Sequence, residues 1–314
     1  MSKPILVGYE PQTLDRAPVR FAVAAARFTG TRLIVACVVH GVEALERLGA
    51  GSVDEALADR VGPALDDLLG DLGAEGVTAE TRELRALSAA RALHDAAEAE
   101  DAGLLVVGSA RDGLLGRVLP GSTVERLMHG APCAIAIAPQ GWQPRGGLRT
   151  IGVAYVDSEE AREALRGAYA LARRTRATLR VLTVVKTHLG MYAETEATIG
   201  VRPAKSIDEV EGEHRVRAER ALQAAVAELD GDVPIEAEAF VDDDPAEPLI
   251  QASQHLDLLV CGSRGYGPVR AVLLGGVTRR VTREARCPVI VLPRGVRASL
   301  QALIEEAAGA PAAR

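Results

Sequence analysis

The residue types that could do chemistry concentrate in residues 258–276, LLVCGSRGYGPVRAVLLGG. Four apolar residues, Leu258 to Cys261, run straight into the turn Gly262-Ser263-Arg264-Gly265. Gly275 and Gly276 follow, with Val277 between them and the helix-like TRRVTREAR. A glycine turn directly after an apolar run predicts a buried strand that bends sharply at its carboxyl end. Bare backbone N–H groups then stand at the end of a strand and at the start of a helix. That is an environment for an anion such as a polyphosphate, because free amides and the helix dipole both favour negative charge. The same glycines also suit plain tight turns, and both readings stay open on the pattern alone.

Other chemistries lack their residues. The chain has no Gly-Lys dipeptide, so no Walker phosphate loop, and Arg270 stands where a dinucleotide fingerprint starting at Gly265 needs its third glycine. No G-x-S-x-G elbow occurs. The six histidines are scattered without ligand spacing, and no nucleophile–base pair stands out. The expectation is no catalytic residue and no metal site.

The glycine stretch occurs twice. Residues 104–123 read LLVVGSARDGLLGRVLPGST, so Gly108 matches Gly262 and Gly121 matches Gly275 at an offset of 154. Cys133 matches Cys287 at that offset, whereas the opening strand ILVGY at Ile5 matches IGVAY at Ile151 at 146. Two ends in register with about eight extra residues between them mark an internal duplication. At 314 residues the length fits two domains of roughly 150 residues each.

The elements that must hold these residues follow from periodicity. In the first copy, strands are predicted at 4–9, 33–39, 77–83, 104–107 and 133–138, with helices at 15–28, 53–72, 88–100 and 122–129. In the second, strands at 150–155, 179–185, 235–241, 258–261 and 289–292 alternate with helices at 159–176 and 208–229 and one opening at Asp244-Pro245-Ala246-Glu247. That last segment reads as Asp at the N-cap, Pro at N1 and Glu at N3, and the neighbouring Asp242 and Asp243 as a solvated turn in preference to a metal site. Residues 139–148, PQGWQPRGGL, form the linker, 188–207 a loop over the second site, and 297–307 a short amphipathic helix. Alternating strands and helices of these lengths imply a parallel, doubly wound α/β sheet, whose ligands bind beyond the carboxyl ends of strands.

A net charge of −7 disfavours a general nucleic-acid or membrane-surface role. Cys37, Cys133, Cys261 and Cys287 sit in apolar runs with no C-x-x-C pair, as buried reduced thiols do. A first strand at residue 4 leaves no room for a secretory leader, and no apolar run approaches a membrane span of roughly 18 residues. The expectation is a cytoplasmic protein.

The spacing G-x2-G-x9-G at Gly262, Gly265 and Gly275, the helix after it, and RCPVIVLP resemble the nucleotide-binding segment of the universal stress protein family. ILVGYE and IGVAYVDS resemble that family's first strand, which ends in an aspartate near the adenosine. The resemblance covers nearly the whole chain twice. It implies two modules, 1–140 and 148–295, each a five-stranded parallel sheet of order 3-2-1-4-5 with helices on both faces, followed by a helix and tail at 296–314. It also implies ATP, or AMP or another adenine nucleotide, along the strand ends, with Mg2+ accompanying ATP. Gly262 and Gly265 would admit the ribose and phosphates, and Gly275 would open the phosphate-holding helix. Adenine would lie near Tyr155 and Val184, or near Tyr9 and Val38.

Neither copy matches the family pattern throughout. Module two keeps three glycines but has Gly276 in place of a hydroxyl residue, and Val156 in place of the acid, with Asp157 one residue later. Module one keeps Glu10, Gly121, Ser122 and Thr123, but Arg111 replaces its second glycine. The better-preserved glycines favour module two as the nucleotide site. The expected role is a stress-response regulator or nucleotide sensor without dedicated catalysis. A nucleotide-independent interaction scaffold and a weak ATPase are the alternatives. The fifth strands, 133–138 and 289–292, would pair within one chain as a pseudo-dimer, whereas a homodimer would need another surface such as 297–307.

Overall fold

The computed structural model describes residues 3–13, 15–39, 51–109, 123–128, 130–186, 207–262 and 275–293. The predicted loop at 188–207, save its last residue, and the predicted helix at 297–307 lie outside them.

Module one runs β1 (Ile5–Gly8), α1 (Ala17–Thr29), β2 (Leu33–Val39), α2 (Gly51–Ala74), β3 (Ala79–Arg85), α3 (Ala89–Ala99), β4 (Leu104–Gly108), α4 (Thr123–Met128) and β5 (Ala134–Ala138). Module two repeats the order with β6 (Thr150–Ala154), α5 (Glu159–Thr175), β7 (Thr178–Lys186), α6 (Ile207–Ala227), β8 (Ile235–Asp242), α7 (Ala246–Ala252), β9 (Leu258–Gly262), α8 (Gly276–Glu284) and β10 (Val289–Leu292). All ten strands form one sheet of order β3-β2-β1-β4-β5-β10-β9-β6-β7-β8. Each half is therefore the 3-2-1-4-5 arrangement, parallel throughout. The halves meet where β5 and β10 pair antiparallel, with Val289 opposite Ile137 and Val291 opposite Ile135. The fifth strands do pair within one chain. All four of those side chains are at most 2% exposed, each worth roughly 1.5–3 kcal/mol of burial.

Alternation along the strands divides the core. Ile5, Val7, Leu33 and Val35 face one side, where they pack with residues of α1, α2, α5 and α6. Leu6, Ile34 and Ala36 face the other, with residues of α3, α4, α7 and α8. Each core runs through both modules, as a doubly wound sheet covered on two faces requires. The cysteines are free and buried. No helix among the described residues is long and apolar enough to cross a membrane.

Two local expectations need correction. The edge strand β3 starts at Ala79, not at 77, because Val77 N–H donates to Leu72 O at 2.8 Å and closes α2. Gly76, at φ +72°, makes that reversal possible. At α7, Pro245 and not Asp244 stands at the N-cap position. Asp244 still accepts from Ala246 N–H at 3.1 Å, so it caps from one residue further out.

Candidate functional site

In each module the first and fourth strands end side by side, at the point where the chain switches direction across the sheet. β1 and β4 are parallel neighbours, as are β6 and β9. Beyond these ends lie two clefts at pseudo-equivalent places, and they differ greatly in size.

The module-one cleft is about 1110 Å³ and is walled by Tyr9 and Glu10 after β1, Val38 on β2, Gly108 and Ser109 at the end of β4, and Thr123 at the start of α4. Tyr9 N–H extends the ladder to Ala36 O at 2.8 Å, which fixes the main chain of this half-buried residue at the rim. Burial pushes its hydroxyl pKa up, an effect that Arg16 opposes. Arg16 itself is held by Asp71 at 2.5 Å. Cys37, also on the wall, is pushed up to about 11, mainly by burial. Both displaced groups move away from neutrality, so neither offers a base or nucleophile near pH 7.

The linker closes this cleft from one side. Asp15 Oδ1 accepts from Ala17 N–H at 3.0 Å and from Gly141 N–H at 3.2 Å. Ser109 Oγ accepts from Gln140 N–H at 3.1 Å, and Trp142 meets Phe21 edge-on at 5.7 Å between ring centroids. Ser88 and Ser109, both on the cleft wall, were not among the residues expected from the sequence. Ser88 carries a readable signal, since it precedes a helical run and caps α3 by accepting from Arg91 N–H.

The module-two cleft brings Tyr155, Val184, Gly262, Gly275, Gly276 and Val277 together, but encloses only about 90 Å³. Tyr155 is 3% exposed and sits in the core. Asp157, expected to stand in for the family's acid, is absent from this wall. It is exposed and pairs with Arg162 at 2.7 Å.

The first glycine of each set has a packing role. A Cβ on Gly262 would stand 3.0 Å from Glu160 O and 3.2 Å from Glu160 C, backbone atoms of the first turn of α5. A Cβ on Gly108 would meet Pro18 Cγ at 3.1 Å. In both modules the last residue of the fourth strand lets the first helix cross close to the sheet. Gly276 has open space around it and is exposed at the start of α8. Gly121 and Ser122, and Ser263, Arg264 and Gly265, lie outside the described residues, as does Arg111.

Elsewhere, His94, Asp95 and Glu98 converge on α3, with ligand atoms within 4.8 Å of one another. Asp95 is already engaged by Arg91 at 2.9 Å and His94 Nε2 lies 2.9 Å from Gly130 O, so this is a helix surface network.

Comparison with known proteins agrees with the duplicated fold. The universal stress protein family model matches residues 1–139 and again 147–293. A universal stress protein of Mycobacterium tuberculosis is 27% identical over 297 residues, spanning 92% of this chain and 99% of the relative. One from Mycolicibacterium smegmatis is 29% identical over 92% of this chain and 96% of its own. Among solved structures, a universal stress protein from Archaeoglobus fulgidus superposes with a TM-score of 0.64 at 17% identity, covering 94% of this chain and all of its own. A putative universal stress protein from Pseudomonas aeruginosa reaches 0.63 at 21% identity over 98% of both chains.

Proposed function

The chain belongs to the universal stress protein family, with one family domain in each half, and from that premise we propose that it binds an adenine nucleotide in the cleft of module one. The observation that carries this reading is the cleft of about 1110 Å³ at the carboxyl ends of β1 and β4. Ligands of open α/β sheets bind at such a switch point, and clefts that bury a small molecule run to roughly 300–1,000 Å³. Tyr9 and Val38 offer apolar surface to a base, Glu10 an acceptor to a ribose, and Ser109 and Thr123 hydroxyls to phosphate. By the family resemblance Gly121 and Ser122 belong to the same phosphate-binding set. Module two holds the better glycine set, Gly262, Gly265 and Gly275, but its described walls leave about 90 Å³. In this reading ATP is the leading nucleotide, with Mg2+ accompanying its phosphates, and module two is mainly scaffold.

The function is regulatory binding in a stress response, in which occupancy changes the presentation of the cleft and its linker. Among the described residues no base is placed to activate water, so dedicated catalysis forms no part of this proposal. Calorimetric titration of ATP into the full chain tests it, alongside Val38→Trp and Val184→Trp variants that fill one cleft each. Binding near one equivalent that Val38→Trp abolishes and Val184→Trp leaves intact is the expected result. Absence of adenine-nucleotide binding at millimolar concentration would overturn the reading.

A further inference from the structure

One position distinguishes the two clefts chemically, an inference that rests on the nucleotide reading above. Arg126 in α4 and Arg280 in α8 coincide at the repeat offset of 154. Arg280 is spent within the protein. It pairs with Asp244, with Glu247 at 2.6 Å and with Glu284 at 3.3 Å. Asp244 precedes α7 and Glu247 lies in its first turn, so the guanidinium straps α7 to α8. Pro245 and Leu249 line the small cleft from one side of that strap, and Gly276 and Val281 from the other.

In module one each of the three carboxylates is replaced. Matching Ala90 with Ala246 and Leu93 with Leu249, buried on the same face of the sheet, places Ser88 opposite Asp244 and Arg91 opposite Glu247. The residue opposite Glu284 is Gly130. Ser88 is occupied as a helix cap and the Arg91 guanidinium turns to Asp95. Arg126 is exposed, lines the large cleft together with Ser88 and Thr123, and forms no ion pair among the described residues. Glu10 and Asp15 lie on the same cleft wall, in the segment that follows β1. A planar guanidinium without a carboxylate partner is suited to phosphate oxygens, which it meets with paired donors.

We propose that Arg126 recognises the anionic end of the ligand in module one. In module two Asp244, Glu247 and Glu284 withdraw its counterpart and hold the cleft shut. The chain then takes one nucleotide and selects it by its phosphates. A charge-assisted hydrogen bond at an exposed position is worth roughly tenfold in affinity.

The test titrates adenosine, AMP and ATP into the full chain and into Arg126→Gln. The expected result is one site, with ATP binding weakened about tenfold and adenosine binding unchanged. Arg126→Lys should keep most of the ATP affinity, as a point charge in the same place. A Ser88→Asp, Arg91→Glu double variant, which transplants two acids of the strap, should lower ATP affinity with Arg126 still present. It also serves if Arg126→Gln fails to fold. Equal ATP affinity in wild type and Arg126→Gln would overturn the proposal while leaving the nucleotide reading standing. So would equal losses for adenosine and ATP, or a stoichiometry of two. No binding of any of the three ligands to wild type would overturn both.

Discussion

Replacing Gly262 by alanine separates the packing role of the first motif glycine from any role at a ligand. The added Cβ would stand 3.0 Å from Glu160 O, 3.2 Å from Glu160 C and 3.4 Å from Ala161 N. Comfortable contacts between carbon atoms lie at about 3.5–4.0 Å, so the first turn of α5 must retreat by a few tenths of an ångström. That turn is held by the Ser158 cap, whose hydroxyl accepts from Ala161 N–H at 3.2 Å. Its closest atoms are backbone and cannot rotate away. Overpacking by one carbon costs about 1–3 kcal/mol, offset by roughly 0.4–1 kcal/mol from the stiffer unfolded chain. The net expectation is a loss of about 0.5–2 kcal/mol. Gly108→Ala is the internal control, because its one close neighbour is Pro18 Cγ at 3.1 Å, a ring atom that can pucker aside. It should fall within about 0.5 kcal/mol of neutral. Urea unfolding of both variants reads the difference as a shift in midpoint at constant slope. Gly262→Ala as stable as wild type, or less costly than Gly108→Ala, would refute the argument that helix approach demands the glycine.

Two further outcomes follow from single observations. Arg176 closes α5 at φ +57°, where Gly30 closes α1 at φ +67°, and the two coincide at the repeat offset of 146. Relieving a left-handed arginine should make Arg176→Gly more stable by about 0.5–1 kcal/mol, a rise of roughly 1–2 °C in Tm by scanning calorimetry; a fall in Tm would contradict it. Burial raises Cys133 and Cys261 from 9.0 to about 12. Their contribution is intact below pH 9 and is lost as pH rises towards 12, because the unfolded thiols release protons first. Each thiol steepens the loss by about 1.4 kcal/mol per pH unit in that window. Unfolding free energies at pH 7, 9 and 10 should therefore decline above 9, and a Cys133→Ala, Cys261→Ala variant should flatten the decline; an unchanged slope would show that these thiols are not what titrates.

The duplication, the alternation of strands with helices and the placing of glycines at strand ends are all determined by sequence alone, because each depends on local spacing. Apolar period and turn residues report what a segment does with its own neighbours. The offset between Ile5 and Ile151 and that between Gly108 and Gly262 report the repeat directly. What the tertiary structure decided is pairing between residues far apart. Val77 belongs to the core yet ends α2 instead of starting β3, because its N–H reaches back to Leu72. Gly262 looks like a ligand residue in sequence, but its measurable constraint is the backbone of α5, about 100 residues earlier in the chain. The unequal clefts are likewise hidden in sequence: Arg126 and Arg280 are the same residue at the same place in the repeat. They differ through carboxylates such as Asp244 and Glu247 at the start of a separate helix, and such pairing leaves no trace in local periodicity.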